Sequence, residues 1–160
     1  MEFITDLQTV DIFTRLLVAL LLGMFLGVER AFAGKTAGMR TYALVSMGSA
    51  LFVITSIIIG EEYIGRTSFD PLRMSSQIIT GIGFIGAGLI IFRDKKLSGL
   101  TTAAGLWVAA GIGIVVGYGF FDIGIIVSLL TIMIFTIVWY FERIVRMLPW
   151  SSPDDDDDLE

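Results

Sequence analysis

The glycines between Gly81 and Ile90 have the spacing of a phosphate-binding loop. Gly81, Gly83 and Gly86 form a G-x-G-x-x-G pattern, which binds the pyrophosphate of a dinucleotide where a strand turns into a helix. In this chain the pattern lies within an uncharged stretch of 19 residues, Met74 to Phe92. An uncharged stretch of that length is a candidate membrane helix, so close helix packing is the favoured interpretation. A broken helix whose exposed backbone lines a polar site is the alternative.

Charged residues flank the first connection between apolar segments. Glu29 and Arg30 end one segment, and Arg40 and Thr41 open the next. Because both positions should lie at the same membrane face, Glu29 and Arg40 could meet as an interhelical ion pair. The alternative is a cluster that binds a ligand or a partner.

A further polar group, Asp70, Pro71 and Arg73, opens the third apolar segment. An Asp side chain can cap the free N–H groups of a helix, and Pro suits the first helical position. Arg73 is close enough in sequence to pair with Asp70. This pattern predicts a helix start with a local ion pair, and a functional carboxylate at the membrane face is the alternative.

Several polar side chains stand within or beside the apolar segments. Buried hydroxyls and amides in membrane helices usually bond across helices or to backbone carbonyls. The same side chains could instead line a polar path. The tryptophan lies deeper in its segment, where it could pack against the other helices or line that path. The residues concerned are Gln77, Thr80, Thr101, Thr102 and Trp107.

The composition removes several kinds of chemistry. The chain has no Cys and no His, which excludes disulfides, thiol chemistry, ordinary zinc sites and histidine catalysis. A Mg²⁺ cage is unfavourable, because Glu29 is expected at one membrane face and Asp70 and Asp122 at the other. We therefore expect no catalytic residues, no enzymatic activity and no cofactor.

The net charge of −5 comes from the C-terminal tail. Without residues 154–160 the chain has 11 basic and 10 acidic residues, which gives no reason to expect a nucleic-acid partner. Residues 148–160 are expected to form an acidic, disordered tail. Residues 1–147 are expected to form one membrane domain.

Five apolar segments predict an all-α, polytopic membrane bundle of about five transmembrane helices, since about 20 helical residues span the hydrocarbon core. The expected helices cover residues 11–29, 41–60, 73–92, 100–119 and 123–141. The first helix reaches this length only if it includes Arg15. Asp11 lies one turn earlier and can pair with that arginine, which could serve as an interfacial anchor or face a polar cavity.

Small residues predict where the helices pack. In lipid, helices associate through close van der Waals contact, which small side chains permit. The third segment carries a predicted packing seam, and the fourth is rich in Ala and Gly, so both are expected near the bundle centre. The seam consists of Thr80, Gly81, Gly83, Gly86, Ala87 and Gly88.

Four ordered motifs together resemble the MgtC/SapB family of bacterial inner-membrane proteins. They are LLGMFLGVER, AGMRTYALV, DPLRMSSQIITGIGFIGAGLI and GLTTAAGLW, which begin at Leu21, Ala37, Asp70 and Gly99. The resemblance covers roughly residues 12–141, and the chain is similar to short members without a soluble C-terminal domain.

The resemblance implies a regulatory protein of low-magnesium adaptation that restrains the F-type ATP synthase and affects ATP and phosphate homeostasis. In pathogens the family is linked to virulence. We expect the lipid bilayer, a membrane complex and a second copy of the chain, in a homodimer, as partners. A small transporter or channel for Mg²⁺ or another solute is the alternative. The functional residues that the family resemblance implies are Glu29, Arg30, Arg40, Thr41, Asp70, Arg73, Gln77, Thr101, Thr102 and Trp107.

The Lys and Arg residues predict the orientation in the membrane. Loops one-two and three-four and the segment after the fifth helix carry eight of them, whereas loop two-three carries only Arg66 and Arg73. Because positive loops remain inside, the N-terminus should be outside and the C-terminus cytoplasmic. A reporter fused after Arg146 should therefore report a cytoplasmic position, and an external signal would refute the orientation or the helix count.

Overall fold

The computed structural model describes residues 6–62, 70, 72–93, 96–138, 140, 141 and 144. Within this part of the chain, five α-helices follow one another, and a short antiparallel hairpin separates the third from the fourth. The fifth helix continues into a π-helical segment, Ile134–Val138. The elements are α1 Asp6–Phe32, α2 Met39–Glu62, α3 Leu72–Leu89, β1 Ile91–Arg93, β2 Lys96–Ser98, α4 Leu100–Gly117 and α5 Phe121–Met133.

Four helical stretches are long and apolar enough to cross a membrane: Thr9–Phe32, Met39–Glu61, Leu100–Gly117 and Phe121–Val138. The helix α3 completes the predicted five, but its first two turns include Arg73 and Gln77 and it is not among these four. The all-α bundle is thus confirmed. The orientation in the membrane stays a prediction, and the acidic tail lies outside the described residues.

The third helix ends earlier than expected. It was predicted to reach Phe92, but α3 stops at Leu89 and the chain pairs Ile91 with Ser98 in the hairpin. The reason is tertiary, because the chain must turn back sharply at Gly99, which has φ +86. A Cβ at Gly99 would collide with the Leu89 carbonyl oxygen, so only glycine fits this return.

The helix α4 occupies the middle of the bundle and contacts each of the other four helices. Its glycines allow unusually close backbone approach. A Cβ at Gly113 would collide with the Ser46 carbonyl oxygen, and a Cβ at Gly117 would lie 2.9 Å from Cβ of Val53. The buried core around this contact includes Ala19, Leu26, Tyr42, Ala50, Leu106, Ala109, Ile112 and Val116.

The helix α3 lies at the edge of the bundle. It packs on α4 and makes little contact with α2, and its buried residues are Ser75, Ile82 and Gly86. The expectation of a central position is therefore right for the fourth helix and wrong for the third. Small residues permit close packing but do not choose the neighbour, and the interior beside α4 is already filled by α1, α2 and α5.

At the end of the bundle where α1 begins, Arg15 links α1 to α4. Its Nη2 lies 2.8 Å from Oδ2 of Asp11, which confirms the predicted pair. Its Nη1 also donates a hydrogen bond of 2.9 Å to the carbonyl oxygen of Gly117. A cation near the C-terminal carbonyls of a helix is favourable, so this arginine serves the packing of α1 on α4. We call this end of the bundle the Arg15 end.

The close contact of α4 predicts a sharp difference between two glycines. Gly113→Ala should lower the free energy of unfolding by about 1–3 kcal/mol, because the added Cβ overpacks the contact with Ser46. Gly83→Ala is the matched control, since a Cβ there meets nothing within 4 Å, and it should raise the free energy of unfolding by about 0.5–1 kcal/mol because alanine favours a helix over glycine. Detergent-titrated unfolding followed by far-UV circular dichroism measures both, and equal losses would contradict the prediction.

Candidate functional site

The opposite end of the bundle, which we call the Arg30 end, contains a buried charged residue. Arg30 lies in the last turn of α1 and is only 4% exposed. Its Nε donates a hydrogen bond to Oε2 of Glu29. Its guanidinium also lies over the ring of Phe135, 3.8 Å from the ring centroid. An arginine over an aromatic face gains from the quadrupole of the ring, and more when it is shielded from water.

Two further helices join this cluster through Tyr42. The side chain of Tyr42 is fully buried, and its hydroxyl donates a hydrogen bond of 3.2 Å to the carbonyl oxygen of Thr102. Gly105 leaves the space for both rings: a Cβ there would collide with the Tyr42 hydroxyl and lie 2.7 Å from Cζ of Phe135.

The backbone that carries Phe135 is unusual, since Ile134–Val138 is π-helical. A π-helical turn inserts an extra residue into a helix and is frequent at functional sites. We define the Arg30 cluster as Glu29, Arg30, Tyr42, Thr102, Gly105 and Phe135. It joins α1, α2, α4 and the π-helical segment at this end of the bundle.

The structure brings only part of the predicted first polar group together. Of that group, Glu29 and Arg30 belong to the Arg30 cluster, whereas Thr41 is half-buried and Arg40 is exposed. Thr102, predicted among the polar residues beside the apolar segments, joins the cluster through its backbone carbonyl. The expected ion pair between Glu29 and Arg40 is wrong, because the carboxylate of Glu29 pairs with Arg30.

The packing of Gly27 explains this difference. A Cβ at Gly27 would lie 2.5 Å from Cα of Met39, so the start of α2 is held against α1 two residues before Glu29. Arg40 then lies on the outer side of the junction. Sequence reasoning also missed Tyr42, Gly105 and Phe135. The position of Tyr42 directly after Arg40-Thr41 was a usable signal for that residue, but no pattern marked Phe135.

At the Arg15 end, Asp70 acts as the predicted helix cap. Its Oδ1 accepts a hydrogen bond of 2.9 Å from the Leu72 N–H, and its carbonyl oxygen accepts one of 3.2 Å from the Arg73 N–H. The predicted side-chain ion pair is absent, because both side chains are exposed and do not approach within 4.0 Å. Pro71 lies outside the described residues.

The remaining polar residues do not share a path. Thr101 is exposed at the start of α4, and the exposed Thr80 donates a hydrogen bond of 2.9 Å to the Ser76 carbonyl oxygen of its own helix. Gln77 faces a groove between α2 and α3, whereas Trp107 is half-exposed in a groove between α3 and α5. These side chains point to different surfaces of the bundle.

The predicted packing seam is mostly exposed within this chain. Gly86 is buried, and a Cβ there would lie 3.7 Å from Cβ of Ala103. At the other three glycines of the seam, a Cβ would meet nothing within 4 Å. Residues left on the surface of α3 are Thr80, Gly81, Gly83, Ala87 and Gly88.

The described residues also bear on metal binding. Among them, no three Asp or Glu side chains are grouped so that they could hold a metal ion. The acidic side chain at the Arg30 cluster is paired with an arginine, and the carboxylate of Asp70 caps α3 at the other end.

Long apolar helices around a core of small residues, with arginines held at both ends, define a multi-pass α-helical membrane protein. The family model of the MgtC family matches residues 16–144. The chain therefore belongs to the MgtC family, and it is a protein of the bacterial inner membrane. No solved structure matches it.

Similar proteins occur in distant bacteria. The chain is 41% identical over 132 residues to a protein of Escherichia coli K12 named "Putative magnesium transporter YhiD", covering 79% of this chain and 60% of that protein. It is 36% identical to protein MgtC of Salmonella typhimurium, covering 86% of this chain and 56% of that protein. Protein SrpB of Synechococcus elongatus is 37% identical, and 86% and 84% of the two chains are covered. The chain thus spans about 60% of the YhiD and MgtC relatives.

The contact between Arg30 and Phe135 predicts a measurable coupling. In a double-mutant cycle of Arg30→Met and Phe135→Leu, each substitution removes the same cation–π contact. The loss of unfolding free energy in the double variant should therefore be smaller than the sum of the two single losses by about 0.5–2 kcal/mol. The matched control pairs Arg30→Met with Ile134→Leu, a residue exposed beside Phe135. Additive losses in the first cycle would contradict the contact.

Proposed function

We propose that this chain is a non-enzymatic regulatory protein of magnesium adaptation, which acts on membrane energetics by restraining an F-type ATP synthase. Membership of the MgtC family supports the magnesium connection, as does the name of the YhiD relative. Regulation of the ATP synthase, and through it of ATP and phosphate levels, rests on the family resemblance. Any link to virulence has the same basis.

One geometric observation favours regulation over transport. A conducting path needs polar groups that follow one another through the bundle, but Gln77, Thr101 and Trp107 lie on separate surfaces. The middle of the bundle is filled by apolar side chains such as Leu106 and Ile112, both fully buried. At one end, the buried Arg30 is held by Glu29 and by the ring of Phe135. The polar groups of a single chain are therefore placed to contact a partner at its surfaces, and they do not form a path for a solute.

The surface best suited to a partner helix is one side of α3. We define the small face as Ser76, Thr80, Gly83 and Ala87, which recur at helical spacing and are all exposed. A helix with small residues on one side lets another helix approach closely in lipid. The exposed Arg40 and Thr101 offer polar contacts to the same complex at the Arg30 end. The predicted homodimer stays a prediction.

The proposal can be tested in inverted membrane vesicles. ATP-driven proton pumping by the F-type ATP synthase should be slower in vesicles that contain the protein than in vesicles without it. Gly83→Leu should restore the pumping rate, because its side chain obstructs the small face. Gly88→Leu is the matched control, on the same helix and equally open but on another side, and should remain inhibitory.

The alternative function, a small transporter or channel, is tested by measuring Mg²⁺ flux. Proteoliposomes of the purified protein should show no Mg²⁺ flux above that of empty liposomes. A flux that disappears in Thr101→Val would support transport and overturn the regulatory proposal. An unchanged pumping rate in the vesicles would overturn it as well.

A further inference from the structure

An apolar groove separates α2 from α3 along most of the length of α3. Its volume is about 570 Å³. Two glycines on opposite walls keep it open, because a Cβ at Gly48 or at Gly81 would meet nothing within 4 Å. Apart from Gln77 and from Ser49, whose hydroxyl donates a hydrogen bond to the Val45 carbonyl oxygen, the lining is apolar, as at Phe52 and Ile85.

The end of the groove nearest the start of α3 is polar and positive. Gln77 lines the groove, and Arg73 lies four residues earlier on the same side of the helix. The side chain of Arg73 is exposed and makes no ion pair with any described residue. The nearby carboxylate, Asp70, accepts the Leu72 N–H as a cap. Gln77 thus lines this end of the groove, and a cation that is unpaired among the described residues stands one helical turn before it.

The dimensions of the groove indicate what can fill it. From Met74 to Ile85 the helix rises about 16 Å, close to half of the roughly 30 Å hydrocarbon core, which is the depth of one leaflet. The groove, with a volume of about 570 Å³, therefore has the length of an acyl chain in one leaflet.

We propose that this groove binds an anionic phospholipid of the surrounding membrane. One acyl chain lies between Gly48 and Gly81, along the apolar walls. The phosphate pairs with the guanidinium of Arg73, which stands at the level of the headgroups. The Gln77 amide donates to an ester carbonyl between the two. Charge complementarity selects the headgroup, because a guanidinium matches the oxygens of a phosphate.

Native mass spectrometry of the purified, detergent-solubilised chain tests this site. Phosphatidylglycerol and phosphatidylcholine with identical acyl chains are titrated separately. The wild-type chain should bind one phosphatidylglycerol about tenfold more tightly than phosphatidylcholine, because only the former has a net negative charge. Arg73→Gln should abolish that preference. Arg40→Gln, which removes an exposed arginine at the opposite end, should leave it intact.

Filling the groove should remove the site itself. Gly81→Leu and Gly48→Leu, from opposite walls, should each weaken binding of both lipids by about tenfold. Gly83→Leu, on the same helix but outside the groove, should bind as the wild type does. Circular dichroism should report the same helix content for all three variants.

Two results would overturn the proposal. One is unchanged lipid binding in both groove-filling variants. The other is a wild-type dimer that carries no bound lipid and dissociates in Gly81→Leu, since a second copy would then be the occupant.

Discussion

The close approach of α4 to α2 is the contact on which the rest of the bundle depends. In a bilayer, apolar side chains gain little by leaving the lipid for the protein, so helices are held by close atomic contact. Dispersion attraction fades within about an ångström of separation. The missing side chains at Gly113 and Gly117 bring α4 against Ser46 and Ala50. Every other helix is then placed relative to α4, which touches all of them.

The two ordered arginines fix the ends of this arrangement. A guanidinium within or near the hydrocarbon is costly unless it is paired. Arg15 satisfies this need with Asp11 and with the carbonyl oxygen of Gly117 at the end of α4. Arg30 does so with Glu29 and with the ring of Phe135. Because each arginine contacts a second helix as well as its own, the pairing energy also specifies which helix ends lie together.

The position of α3 sets it apart from the packed centre of the bundle. It leaves much of its own surface uncovered, including the small face and the wall of the α2–α3 groove. A helix with few intramolecular contacts is available for contacts with lipid or with another protein. The DPLRMSSQIITG motif supplies Asp70 as the cap, Gln77 in the lining of the groove and Arg73 one turn before Gln77.

Some of this could be predicted from the residues alone. The number of helices and their approximate bounds follow from charge-free runs, because the length of an apolar run is set by the thickness of the membrane. The pair Asp11–Arg15 and the cap at Asp70 were predictable because both are local, within four residues. The motifs also placed the chain in its family, which the family model confirmed.

What the tertiary structure alone decided is which neighbours these residues meet. The glycines of α3 and those of α4 look alike in sequence, but Gly113 is pressed against α2 while Gly83 is open. Glu29 pairs with its neighbour Arg30 instead of Arg40, and Phe135 joins them from more than 100 residues away. The physical reason is that membrane helices are all apolar on the outside, so composition specifies that they insert. Only the shapes of their surfaces, in three dimensions, specify how they pack.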